Sequence, residues 1–193
     1  MNTLEGVVLA AGKSTRTSHQ YKMELDLGGQ PVIRRSVESL LPVCRRVIVV
    51  GGHNYDRLCR LVADCGGVET VCNHQYERGM FSSVCCGIRQ VRGDAFFLLP
   101  GDIPLVRPET VRRMAAVAAD IVVPRHEGRK GHPVLVHARF IPEILAMPAD
   151  ATLRDFMHRQ EITVLDVTDH GIVMDIDDLD DYEAARAYCH SRE

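Results

Sequence analysis

Three groups of residues in this sequence could do chemistry. The first is small and basic. Leu9-Ala10-Ala11-Gly12 is followed by Lys13, Arg16 and Lys22, with Ser14, Thr15, Thr17 and Ser18 between them. Small residues let backbone N–H groups approach an anion, and cations neutralise what the amides cannot. Lysine does this as a movable point charge, arginine as a planar fork. The second group is acidic. Asp102 stands in Pro100-Gly101-Asp102-Ile103-Pro104, and Asp175, Asp177, Asp178, Asp180 and Asp181 follow near the end. Carboxylates hold Mg2+, which takes oxygen ligands and keeps waters and substrate phosphates. The third is Gly131-His132-Pro133, an imidazole before a rigid proline. A basic glycine-rich loop with two carboxylates suits Mg2+-assisted chemistry on a nucleoside triphosphate.

Each group has a plainer reading. The basic loop could be solvated surface, and Asp102 a turn or helix-cap carboxylate. Asp178, Asp180 and Asp181 sit near a helix start, where the helix dipole favours negative charge. Asp175 and Asp177 flank Ile176, so in extended chain they share a face, and either could be a second metal ligand. His132 could position an acceptor or simply precede the proline.

Several classes are excluded. There is no GxxxxGK[ST] and no GxGxxG after the first strand. A net charge of −3 argues against broad nucleic-acid binding. No apolar run approaches the roughly 20 residues of a membrane helix, and no signal peptide is visible. Seven cysteines, none in a CxxC pair, fit free thiols in a reducing cytoplasm. Cys85 and Cys86 would point about 100° apart on a helix, so buried small residues are preferred there to a redox or metal pair. The histidines form no HxxxH or HxH, against a zinc site.

The elements that must position these groups alternate. Apolar runs at Leu4–Leu9, 46–50, 68–72, 95–99 and 121–123 read as strands. Helical patterns begin at Pro31, after a possible Asn54 cap, at Met80 and at Pro108, the last two running to Val91 and Ala119. This predicts an α/β, Rossmann-like fold in a single domain, 1–193, with a mostly parallel sheet and helices on both faces. Ligands in such sheets bind at the carboxyl ends of the strands, where loops 10–22, 51–54, 73–83 and 100–104 gather. Ser82 and Ser83 fall in a first helical turn, a place for phosphate or ribose. Beyond a polar, flexible loop at 126–131, strands are predicted at 132–136, 162–167 and 172–174. Short helices are expected at 142–147 and 152–158, and a closing helix at 182–190.

LAAGKSTR with Lys22, GGHN, NHQYERGMFSSV, PGDIP, GRKGHPVLV and MDIDDLDDY occur in one order. As a set, from Leu9 to Tyr182, they resemble the MobA-like nucleotidyltransferases of the molybdenum cofactor, within the nucleotide-diphospho-sugar transferase type. GHPVLV with the late DID is most similar to the cytidylyltransferase branch. The resemblance implies transfer of CMP from CTP to a molybdopterin-type cofactor with release of pyrophosphate, and a molybdenum hydroxylase as receiver. It implies that Leu9, Ala10, Ala11 and Gly12 cradle the nucleotide, with Gly79 and Ser83 near base and ribose. Arg16 and Lys22 would hold the triphosphate. Asp102 would bind Mg2+, with Asp177 as second ligand, and His132 would face the pterin. The sequence departs from the family where relatives read RMG and this chain has Arg16-Thr17-Ser18. It also departs in Lys22, one residue late, and in Ile103. Guanylyl or sugar-phosphate transfer, and a non-catalytic module that binds and delivers cofactor, are the alternatives.

Overall fold

The computed structural model describes residues 3–13 and 21–191. Strands β1 (Leu4–Ala10), β2 (Val47–Gly51), β3 (Val68–Cys72) and β4 (Ala95–Pro100) lie side by side in the order β3-β2-β1-β4, all parallel. Helices α1 (Val32–Leu40), α2 (Tyr55–Val62) and α3 (Met80–Ile88) make the crossovers. Helix α4 (Pro108–Ala115) leads on to β5 (Ile121–His126).

Two-faced burial explains the apolar strands. On β1, Val8 and Ala10 pack with Ile33, Val37 and Leu58 on one face of the sheet. Val7 and Leu9 pack with Phe81, Val84 and Ile88 on the other. Strand β4 divides likewise, Phe97 and Leu99 against Phe96 and Leu98. Each such valine, leucine, isoleucine or phenylalanine, fully buried, contributes roughly 1.5–3 kcal/mol. The most apolar strand of the sequence is accordingly central, with β1 on one side and a strand from the second half of the chain on the other.

The second half of the chain turns the sheet mixed. Strand β6 (Arg129–Lys130) folds back on β5 through Glu127 and Gly128, whose φ values of 47° and 81° are both left-handed. The segment read as a flexible loop is thus a tight two-residue hairpin, whose turn matches the twist of its strands. Strand β7 (Val134–His137) inserts antiparallel between β4 and β5, and β8 (Thr163–Asp166) pairs parallel with β5. Helices α5 (Ile141–Leu145) and α6 (Leu153–Met157) cover the face carrying Phe81, through Ile144 and Phe156.

Four local expectations are corrected. Residues 172–174 are no strand; His170–Val173 form a 3-10 turn packed into the interior. Helices α3 and α4 end earlier than their apolar patterns, at Ile88 and Ala115. Asn54 precedes α2 in the left-handed region, at φ 59°, without a capping side-chain hydrogen bond. The closing helix α7 (Leu179–His190) starts three residues early, because Asp178 and Asp181 form a reciprocal capping box. Among the described residues no helix is long and apolar enough to cross a membrane.

Candidate active site

The loops at the carboxyl edge are laced by backbone hydrogen bonds. Gly101 N donates to Leu9 O (2.8 Å), His53 N to Ala11 O (3.2 Å) and Asn73 N to Gly51 O (2.8 Å). Gly52 permits the approach: a Cβ there would lie 2.6 Å from Tyr76 Cβ and 3.0 Å from Ala11 Cβ. The loops enclose a cavity of about 330 Å3. Leu9, Ala10, Ala11 and Gly12 form one wall, and Tyr76, Gly79, Met80 and Ser83 another. Lys13, Lys22, Asp102 and Asp177 supply its charges.

The charged end of this cavity is built from three distant segments. Lys22 opens a 3-10 turn, Lys22–Glu24, and its side chain is only 12% exposed. Its Nζ lies 2.7 Å from Asp102 Oδ2 and 3.3 Å from Asp177 Oδ1. Asp102 follows β4 in a turn closed by Ile103 N donating to Pro100 O (3.2 Å). Its own carbonyl accepts from Ile176 N (2.9 Å), which brings in the aspartate-rich segment. That segment divides by role. Asp178 and Asp181 cap α7, Asp180 and Asp175 are exposed, and Asp177 turns to Lys22. Two carboxylates meeting at one cation are a hard oxygen donor set. They fit a divalent ion that completes its shell with phosphate and water.

Polar groups on the opposite wall are fixed as well. Asn73, buried, donates through Nδ2 to Ser82 Oγ (2.9 Å) and Ser83 Oγ (3.0 Å). Gly79, at φ 96°, turns the chain into α3 so that Ser83 faces the cavity. At the mouth, Lys13 Nζ lies 2.6 Å from Glu77 Oε1 and 5.8 Å from the Tyr76 ring centroid. Hydrogen bonding within this pair raises the lysine pKa and lowers that of the glutamate.

A second cavity of about 630 Å3 adjoins the first and shares Leu9, Gly79, Met80 and Pro100 with it. Its floor is apolar, from Phe81, Val84, Leu98 and Val134, and Arg78, Lys130, Arg154 and His158 add positive or titratable groups. His132 lines this cavity, not the first. The residue is half-buried, yet its Nδ1 is buried without a hydrogen-bond partner. Burial lowers the imidazole pKa, against the pull of a hydrogen bond to the Leu98 backbone and of Asp102 and Asp175.

The structure therefore brings Leu9, Ala10, Ala11, Gly12, Lys22, Gly79, Ser83, Asp102 and Asp177 onto one cavity, with His132 next door. Arg16 lies outside the described residues. Sequence reading missed Tyr76 and Met80. Met80 is 66% exposed on the wall common to both cavities, and its only sequence signal was its place after Gly79 in the polar loop. It also missed the wall given by Thr152, Leu153 and Arg154, which carries no local sign of a site. All seven cysteines are free, and burial pushes the Cys85 and Cys86 thiols up, away from the reactive thiolate.

Comparison with known proteins gives the family of the chain. The MobA-like NTP transferase domain model matches residues 6–164. The molybdenum cofactor cytidylyltransferase of Escherichia coli K12 is 26% identical over 187 residues, 96% of this chain and 97% of that protein. A probable molybdenum cofactor guanylyltransferase of Natronomonas pharaonis is 28% identical over 192 residues, covering 97% and 92%. Among solved structures, Rv0371C of Mycobacterium tuberculosis H37Rv in complex with manganese superposes with a TM-score of 0.78. It is 25% identical, over 96% of this chain and 98% of that one.

Proposed function

We propose cytidylyl transfer as the reaction of this chain, a nucleotidyltransferase that belongs to the MobA-like NTP transferase family. In this reading CTP donates CMP to a molybdopterin-type cofactor. A terminal phosphate oxygen of the acceptor attacks the α-phosphorus of CTP in line. The bond from that phosphorus to the β-phosphate oxygen breaks, and pyrophosphate leaves with the electron pair.

The observation that carries the reading is the convergence of Lys22, Asp102 and Asp177 at one end of a cavity whose wall is Leu9 to Gly12. Backbone groups of Leu9, Ala10, Ala11 and Gly12 cradle the nucleotide, and Gly79 and Ser83 flank base and ribose. Lys22 stabilises charge that develops on the transferred group, together with Arg16. Asp102 and Asp177 would hold Mg2+, whose charge would favour departure of pyrophosphate. The manganese complex of the mycobacterial relative supports a divalent ion.

The shared wall of Leu9, Gly79, Met80 and Pro100 suits transfer between two substrates, since an acceptor in the larger cavity adjoins the triphosphate. His132 and the basic rim of that cavity suit an acceptor that is both planar and phosphorylated. A molybdenum hydroxylase would receive the product, and the seven free thiols suit the reducing cytoplasm in which this would occur. The guanylyltransferase relative favours GTP as the second reading.

Thermal unfolding with CTP, GTP, ATP and UTP, each with and without Mg2+, tests the assignment. A ligand at about 100 times its dissociation constant adds roughly 2.7 kcal/mol of stability. A shift confined to CTP with Mg2+, and lost in Asp102→Ala, is expected. A GTP preference moves the reading to guanylyl transfer, and no shift with any nucleotide overturns it.

A further inference from the structure

A buried carboxylate, Asp169, lies outside both cavities and is 2% exposed. It accepts hydrogen bonds from Arg107 N (2.8 Å), Thr110 Oγ1 (2.7 Å) and Gly171 N (3.1 Å). Arg107 Nε stands 3.8 Å away. One side chain thus caps α4, which has no capping side chain of its own at Arg107, and starts the 3-10 turn at His170–Val173.

From that anchor, residues 169–177 run as a strap behind the two candidate substrate sites, bonded to the backbone of His132 at one point and of Asp102 at another. Gly171 is pressed on the loop that follows Asp102: a Cβ there would lie 2.0 Å from Leu105 O. One residue on, Ile172 O accepts from His132 N (2.9 Å), on the side of the larger cavity. Gly131 allows this contact, since a Cβ there would lie 2.3 Å from Ile172 O. Ile176, fully buried, then donates its N–H to Asp102 O (2.9 Å) and hands the chain to Asp177. The strap is thus in close backbone contact with the loop after Asp102 on one side and with Gly131 on the other.

We propose that Asp169 is a positioning residue, which through the strap 169–177 fixes Asp177 against Asp102 and sets the distance from that pair to His132. The proposal rests on the nucleotidyl-transfer reading, in which Asp102 and Asp177 share a divalent ion. Removing the anchor relaxes the strap, so the second carboxylate loses its place while the nucleotide wall from Leu9 to Gly12 keeps its own.

The test is Mn2+ retention, read from the electron paramagnetic resonance of free Mn2+ with saturating CTP and separately GTP. It compares the wild type with Asp169→Asn and Gly131→Ala. Both variants should weaken Mn2+ binding about tenfold, as loss of supporting groups behind metal ligands does. Gly131→Ala reaches the strap from the opposite side, so it decides the matter if Asp169→Asn does not fold. Wild-type affinity for Mn2+ in the folded variants, whatever their melting temperature, overturns the positioning role and leaves the function reading intact. A wild type that holds no Mn2+ with either nucleotide overturns both.

Discussion

Lys22 Nζ lies 2.7 Å from Asp102 Oδ2 across 80 positions of sequence, with both side chains largely shielded from water. A lysine held so close to a carboxylate is placed, not merely present. It gives the glycine-rich loop a fixed charge at the end of the central strand. Lys22→Ala should lower the rate of pyrophosphate release about 10²–10³-fold, the cost of removing one preorganised charge donor. Lys22→Arg should not restore it, because a planar fork does not fit where a point charge sits between two carboxylates. A wild-type rate in Lys22→Ala would remove Lys22 from the transfer step.

The two aspartates should not be equivalent. Asp102 is the closer partner of Lys22, and its side chain is 23% exposed against 40% for Asp177. Asp102→Asn should therefore raise the Mg2+ concentration for half-maximal activity more than Asp177→Asn does. Activity titrations with Mg2+ and Mn2+ in both variants measure this. Equal effects would mean that the carboxylates share the ion symmetrically.

His132 ties stability to pH. Burial lowers its pKa in the folded chain below the ordinary 6.5, so the native state holds the neutral ring. As pH falls through about 6.5 the unfolded chain takes up the proton first and stability declines; above that value the contribution is constant. Melting curves from pH 5 to 8 should show this loss in the wild type and a flatter profile in His132→Gln. An unchanged slope in the variant would assign the pH dependence elsewhere.

Glu5 and Arg46 make a stability prediction away from the site. Glu5 is 3% exposed and accepts from Arg46 Nε at 2.8 Å and Arg92 N at 2.8 Å. Burial pushes its pKa up, but hydrogen bonds from Arg46 and from the Arg92 and Gly93 backbone outweigh it, so the net shift is downward. Arg46→Met strands the carboxylate and should cost about 3 kcal/mol in urea unfolding. In the wild type the Glu5 contribution is complete above pH 4.5 and is lost as pH falls below it. A loss under about 1 kcal/mol in Arg46→Met would show that the backbone donors suffice alone.

Much of the fold was legible because burial is a local property of a sequence. The runs at β1, β2 and β4 are apolar at consecutive positions, as strands covered on both faces must be. Glycine and charge collected in the loops that follow them, and the fold places those loops on one edge. Asp102 could be singled out because it follows the most apolar run. The 172–174 segment misled for the converse reason. Ile172, Val173 and Met174 favour a strand by type, but the contacts of Gly171 with Leu105 and of His132 with Ile172 hold a 3-10 turn there.

The sequence by itself determined the alternating strands, the mostly parallel sheet, the family and the residues of the glycine-rich loop. Local composition and the order of motifs specify all of these. The residues themselves left Asp175 and Asp177 open, and the resemblance implied Asp177. Tertiary structure turned Asp177 to Lys22 and left Asp175 exposed, put His132 on a separate cavity, and gave Asp169 its bonds to Arg107, Thr110 and Gly171. The pairings involved span 155 positions for Lys22 with Asp177 and 62 for Arg107 with Asp169. No local periodicity encodes contacts at such separations. They arise only when packing of the sheet and α7 brings distant backbone into register.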